Sequence, residues 1–181
     1  NVTTGIYMYA DAFGAGVYAY GSSEIRSCTI AGNRSYSGVG ADNYGGGGLY
    51  ASYGPAIRNT IIHGNSSGGH GPDNWYAYSS VTMTYCCTTP GTNGPGNIAA
   101  DPRLTDIAAG NAHLLADSPC IDRGDNASSP ALDLDGATRP LDGDNDSVAR
   151  ADIGVYEASV GTTTPNLLIN GTFETPSAWS F

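Results

Sequence analysis

GGGLYASYGPAIRNTIIHGN, residues 46–65, decides the reading of the fold. Its Gly48-Leu49-Tyr50-Ala51 aligns with Gly16-Val17-Tyr18-Ala19. At the same offset, Ile57-Arg58-Asn59-Thr60-Ile61-Ile62-His63-Gly64-Asn65 aligns with Ile25-Arg26-Ser27-Cys28-Thr29-Ile30-Ala31-Gly32-Asn33. The apolar positions alternate in runs too short for helices and end on Gly or Gly-Asn, so they read as short strands. One such repeat cannot bury its own apolar face, and repeats of this kind stack on their neighbours. The expectation is an all-β solenoid with Tyr36 to Gly47 looped out between two coils.

A weaker third coil runs from Trp75 to Cys87. Val81 and Met83 continue the alternation there, and Cys86 falls near the place of Ile30 and Ile62. Ile6 and Met8 mark an earlier, partial coil. The Gly-Asn ends have a physical reason: Asn tolerates left-handed backbone at a sharp bend, and its amide can bond to the equivalent Asn one coil away. Asn33 and Asn65 are therefore ladder candidates.

Composition agrees with turns and short strands. The 181 residues include 26 Gly and 12 Tyr, with Asn, Ser and Thr plentiful and neither Lys nor Gln present. A formal net charge of −10 leaves no basic stripe to neutralise phosphates, which argues against nucleic acid and anionic membranes as partners. An acidic, Tyr-rich surface suits an extracellular medium, divalent cations or neutral glycans, and it also serves solubility alone. Cys28, Cys86, Cys87 and Cys120 lack CxxC or His spacing, which favours disulfides in an oxidising compartment over zinc. Asn-x-Ser/Thr sequons begin at Asn1, Asn33, Asn65, Asn126, Asn145 and Asn170; Asn33, Asn65 and Asn126 are the glycosylation candidates. The chain opens in what reads as strand sequence with no apolar span, so a mature or truncated fragment of a secreted or cell-surface protein is expected.

The phrase GGGLYA…IRNTIIHGN resembles the coils of right-handed parallel β-helix repeat proteins, the pectate-lyase-like superfamily. From about Tyr85 to Glu157, YCCTTPGTNGPGNIAADPRLTD…GNAHLLADSPCIDRGDN…DLDGATRPLDGD…ADIGVYE resembles the C-terminal module known as the choice-of-anchor Q domain. NLLINGTFETPSAWSF, at the end, resembles the first strand of a galactose-binding-like jelly roll of the carbohydrate-binding type. These resemblances imply β-helix coils over 1–97, a loop-rich C-terminal cap over 98–157, a linker over 158–165 and an orphan strand over 166–181.

Several residues carry chemistry. Cys86 and Cys87 point to opposite faces of an extended strand, so only one can readily meet Cys120 of the SPCID phrase; Cys87 with Cys120 is the favoured disulfide, against the alternative of four buried thiols. Asp133, Asp135, Asp142, Asp144 and Asp146 alternate beside Gly and put several oxygens on one side of a turn, as structural calcium requires. The alternative is that they cap turns and face water, with Arg139 and Arg150 as charge partners. Arg123-Gly124-Asp125 spells an integrin-binding tripeptide and reads as accidental. Outward aromatics Tyr18, Tyr50, Trp75 and Tyr76, with Tyr20, Tyr53 and Tyr78, either stack glycans or stack on one another.

A β-helix lyase needs a Lys or Arg base beside clustered acids, and a glycosidase needs paired acids on neighbouring coils. There is no Lys, Arg26 and Arg58 repeat without coil-borne acids beside them, and His63, His70 and His113 stand apart from any nucleophile motif. The expected function is a non-catalytic, structural or adhesive stalk with the cap closing its C-terminal end. Its partners are neighbouring domains, copies of itself or polysaccharide. The alternatives are a fragment of a carbohydrate-active β-helix enzyme and a glycan-binding module.

Overall fold

A computed structural model describes residues 2–4, 15–36, 46–67 and 72–159. The expected partial coil at Ile6 and Met8, residues 160–165 of the linker, the orphan strand, His70 and the sequons at Asn1 and Asn170 lie outside them. Strand β1 (Val2–Thr4) pairs in parallel with β5 (Arg34–Tyr36), and a parallel bridge from Arg34 to Ser66 extends that pairing.

Three further parallel sheets each take one strand from every pass of the chain. The first holds β2 (Val17–Tyr20), β6 (Leu49–Ser52) and β9 (Trp75–Ala77). The second holds β3 (Glu24–Arg26), β7 (Ala56–Arg58) and β10 (Thr82–Thr84). The third holds β4 (Thr29–Ala31), β8 (Ile61–His63) and β11 (Cys87–Thr88). An antiparallel hairpin follows, made of β12 (Leu104–Asp106) and β13 (Asn111–Leu114). The protein is all-β with parallel sheets, and none of these sheets closes on itself.

The aligned phrases are register partners. Val17 pairs with Leu49, Ile25 with Ile57 and Ile30 with Ile62. In the third pass Thr88, not Cys86, takes the place beside Ile62, while Cys86 still faces the inner core because strand side chains repeat every second residue. Corner geometry recurs as well: Ser27, Asn59 and Tyr85 turn the chain from the second sheet to the third with φ of 47°, 47° and 53°.

Ala19, Ile30, Leu49, Ala51, Ile57, Ile62, Met83 and Cys86 fill the space between the three sheets, with Trp75 packed against them. The third sheet is apolar on its other face too. There Ile61 and Cys87 pack against Cys120 and Ile153, flanked by Ile98, Leu104 and Leu114. The segment expected to close the C-terminal end therefore lies largely along the outer face of this sheet. Each fully buried Ile in these clusters contributes on the order of 2 kcal/mol. A short loop is tied to the third pass: Asn97 accepts from the Cys86 amide at 2.9 Å and donates to the Met83 carbonyl at 2.9 Å.

Candidate functional site

The ladder expected at the Gly-Asn ends is present. Asn33 Nδ2 donates to Asn65 Oδ1 at 3.0 Å, and Asn65 Nδ2 donates both to the Ile30 carbonyl at 2.9 Å and to Asn74 Oδ1 at 3.2 Å. Asn74, from the loop before β9, is a rung that the repeat alignment did not predict. Asn33 and Asn65 are buried, and their amide nitrogens hold the ladder, so a glycan attached there would dismantle it. Of the three glycosylation candidates only Asn126 is exposed, and its Nδ2 meets the Ala149 carbonyl at 3.3 Å.

The five acids expected to form one calcium set do not converge. Asp133 Oδ1 accepts from the Asp135 and Ala137 amides and its Oδ2 from Glu157. Asp135 reaches His113 Nε2 at 2.8 Å, and that ring stacks on Tyr156. Asp142 and Asp144 meet Asp122 instead, with one carboxylate oxygen of each within 4.8 Å of the others. Asp142 also accepts from Asp146 and Ser147, and Asp144 from Asp146. The two arginines named as charge partners separate: Arg150 is exposed, while the Arg139 side chain is buried and pairs with Glu157 at 3.2 Å.

Sequence reasoning missed the centre of this arrangement. Asp122, fully buried, accepts from Gly143 at 2.8 Å, Asp144 at 2.7 Å and Arg150 at 3.2 Å. Asp152, also buried, accepts from the Asp122 amide at 2.7 Å and from the Ala158 amide. Glu157 accepts from Leu141 and Asp152. Three carboxylates thus share a pocket with one guanidinium. Burial pushes the Asp152 carboxyl up to about 7, against the opposing amide donors, with Glu157 and Asp122 adding repulsion. Burial likewise raises Glu157. Partial burial works in the same sense on Asp133, but its amide donors prevail and hold that carboxyl below its ordinary value. Asp125 of the Arg-Gly-Asp tripeptide serves a turn: its carboxylate accepts from the Ala127 amide and the Ser128 hydroxyl.

Cys87 and Cys120 are both buried thiols, and they touch. The contact between them lowers Cys87 and raises Cys120, and Cys87 Sγ also donates to the Ala100 carbonyl at 3.4 Å. The disulfide expected between them is not formed in the structure, although the partner choice is the one that geometry favours. Cys86 lies on the inner face, where burial pushes its thiol up to about 11.

On the first sheet, the ring centroids of Tyr18, Tyr50 and Tyr76 follow one another at 5.4 and 5.5 Å. Tyr50, in the middle, keeps only 4% exposure beneath its neighbours, while Tyr18 at the end of the row stays 53% exposed. Trp75 does not join them. It pairs with Leu49, packs on the inner core and donates from Nε1 to the Pro90 carbonyl at 3.0 Å. Arg26 and Arg58 do have a coil-borne acid: Glu24 sits between them at 3.6 and 3.3 Å. His63 faces Asp101 at 3.8 Å, in a groove of about 520 Å³ lined also by Arg103, Leu104, Ile107 and Leu115.

No family model, curated protein or solved structure matches the chain. Among the described residues no helix is long and apolar enough to cross a membrane.

Proposed function

We propose that this chain is a structural, non-catalytic stalk segment of a secreted or cell-surface protein. In this reading it is a right-handed parallel β-helix, with residues 98–157 acting as a lateral clasp. One observation carries the reading: Asp122, Asp133, Asp152 and Glu157 are each bonded to backbone amides of distant loops, so the chemically potent side chains are structural acceptors. The resemblance of Tyr85 to Glu157 to the choice-of-anchor Q module, and of the paired passes to β-helix coils, points the same way. The working partners are then neighbouring domains of a longer protein or further copies of the chain.

Incubation with a panel of neutral and acidic polysaccharides, read by reducing-end release and by absorbance of unsaturated products, tests the proposal. No product is expected. Turnover of any polymer that is lost on Asp122→Asn or Asp101→Asn substitution would sink the structural reading in favour of a carbohydrate-active enzyme fragment.

A further inference from the structure

Beyond the stalk, we infer that Tyr20, Tyr53 and Tyr78 form a binding platform for a neutral polysaccharide. One ring comes from each pass. Tyr20 ends β2 and Tyr78 follows β9, both in the column of Ser52, and Tyr53 follows β6 one residue further on, so the three positions lie at one end of the first sheet over about 10 Å, two strand spacings. Their exposures are 58%, 61% and 60%; in the neighbouring column Tyr18 keeps 53% but Tyr50 only 4%. Tyr20 and Tyr53 meet at 5.0 Å with their planes tilted by 50°.

Tyr53 is held against its own backbone preference. Its φ is 63°, and the equivalent corner one pass earlier is Gly21 at 62°. A residue with a Cβ in that region carries steric strain that glycine does not. A largely exposed ring recovers little of this by burial. Strain kept at an exposed aromatic is the kind of local conflict that marks a working surface. The Tyr53 amide is fixed there by a 2.6 Å bond to Ser79 Oγ, so the ring starts from a set backbone.

The chemistry selects the occupant. A tyrosine offers a flat apolar face to the C–H face of a pyranose and a hydroxyl to the sugar's own hydroxyls. The adjoining positions Gly21, Ser22, Gly54, Ser79 and Ser80 bear no charge. With a net charge of −10, the chain repels polyanions, whereas a neutral polymer meets no such penalty.

Native gel electrophoresis of the full chain through hydroxyethylcellulose, galactomannan or laminarin tests this, with polygalacturonate as the anionic comparison. At least one neutral polymer is expected to retard the chain. Tyr53→Gly should weaken that retardation about tenfold, as loss of one aromatic anchor does, while leaving the thermal midpoint unchanged or higher. Tyr20→Ser with Tyr78→Ser should abolish it. Retardation by polygalacturonate alone, by no polymer, or undiminished in Tyr53→Gly overturns the proposal. So does a sedimentation result in which the chain dimerises and the double variant does not, because the face would then serve a second copy.

Discussion

Asn59 and Asp125 clasp each other across the joint between the repeats and the C-terminal segment. Asn59 Nδ2 donates to the Asp125 carbonyl at 2.9 Å, and the Asp125 amide donates back to Asn59 Oδ1 at 2.8 Å. The same Nδ2 reaches Ser129 Oγ at 2.9 Å, and the residue is fully buried. Its φ of 47° suits Asn better than most side chains, so one residue both turns the corner and docks the clasp. Asn59→Ala strands buried donors and acceptors and should cost about 2–4 kcal/mol in urea unfolding. A loss below about 1 kcal/mol would mean that the joint is held elsewhere.

Close packing at the ladder gives a second prediction. A Cβ on Gly16 would stand 2.7 Å from Asn33 Nδ2, and one on Gly48 would run into the Asn65 amide. Gly48→Ala must push the ladder aside and should cost about 2–3 kcal/mol, the usual range for overpacking. Gly110→Ala is the control. It meets open space but has a φ of 80°, and should cost about 1 kcal/mol. Comparable midpoints for the two variants would count against the ladder as a packing constraint.

Cys87 and Cys120 supply the third. Under an oxidant such as molecular oxygen or a small disulfide that is itself reduced to thiols, the two thiols should lose two protons and two electrons and join. The product should weigh two hydrogens less and leave Cys28 and Cys86 as the alkylatable thiols. Closing that loop should stabilise the chain by about 3–4 kcal/mol, a gain that Cys120→Ser removes. Four alkylatable thiols after oxidation would leave the pair as packing alone.

The repeats were legible because strand side chains alternate with period two, which makes Val17 and Leu49, or Ile30 and Ile62, equivalent on sight. The same rule already bars Trp75 and Tyr76 from sharing a face, so the inward turn of Trp75 could have been read from the sequence. The displacement of Cys86 by two residues was harder, since the third pass follows the second at an offset of 26 residues where the second follows the first at 32. The roles of Asp122, Asp152 and Glu157 were illegible for another reason. Their partners are backbone amides of loops far along the chain, and amides leave no signature in residue type. Glu24 was legible as an acid two residues before Arg26 on the same strand face, whereas its contact with Arg58 crosses between passes.

Calcium provides a sharp test of what the acids do. The oxygens of Asp122, Asp142 and Asp144 accept loop amides, and this structural use predicts that millimolar calcium and chelator give thermal midpoints within about 1 °C of each other. A site filled at a hundredfold over its dissociation constant would instead add about 2.7 kcal/mol. A rise of that size, lost in Asp144→Asn, would establish a structural cation at this triad.

The buried carboxyls predict an unusual pH dependence. Asp152 is raised by burial from 3.8 to about 7, and Glu157 is raised as well. Between about pH 4 and pH 7 the folded chain therefore keeps a proton that the unfolded chain has released. Bound protons in excess on the folded side mean that stability falls as pH rises through this window. Asp133 has the opposite sign, since its lowered carboxyl contributes stability that is lost only as pH falls below its ordinary value. The thermal midpoint should thus be higher at pH 5 than at pH 7.5, and Asp152→Asn should flatten that slope while lowering stability overall, because one amide loses its acceptor. Midpoints that climb steadily from pH 5 to pH 7.5 would show that Asp152 and Glu157 are fully ionised in the folded state.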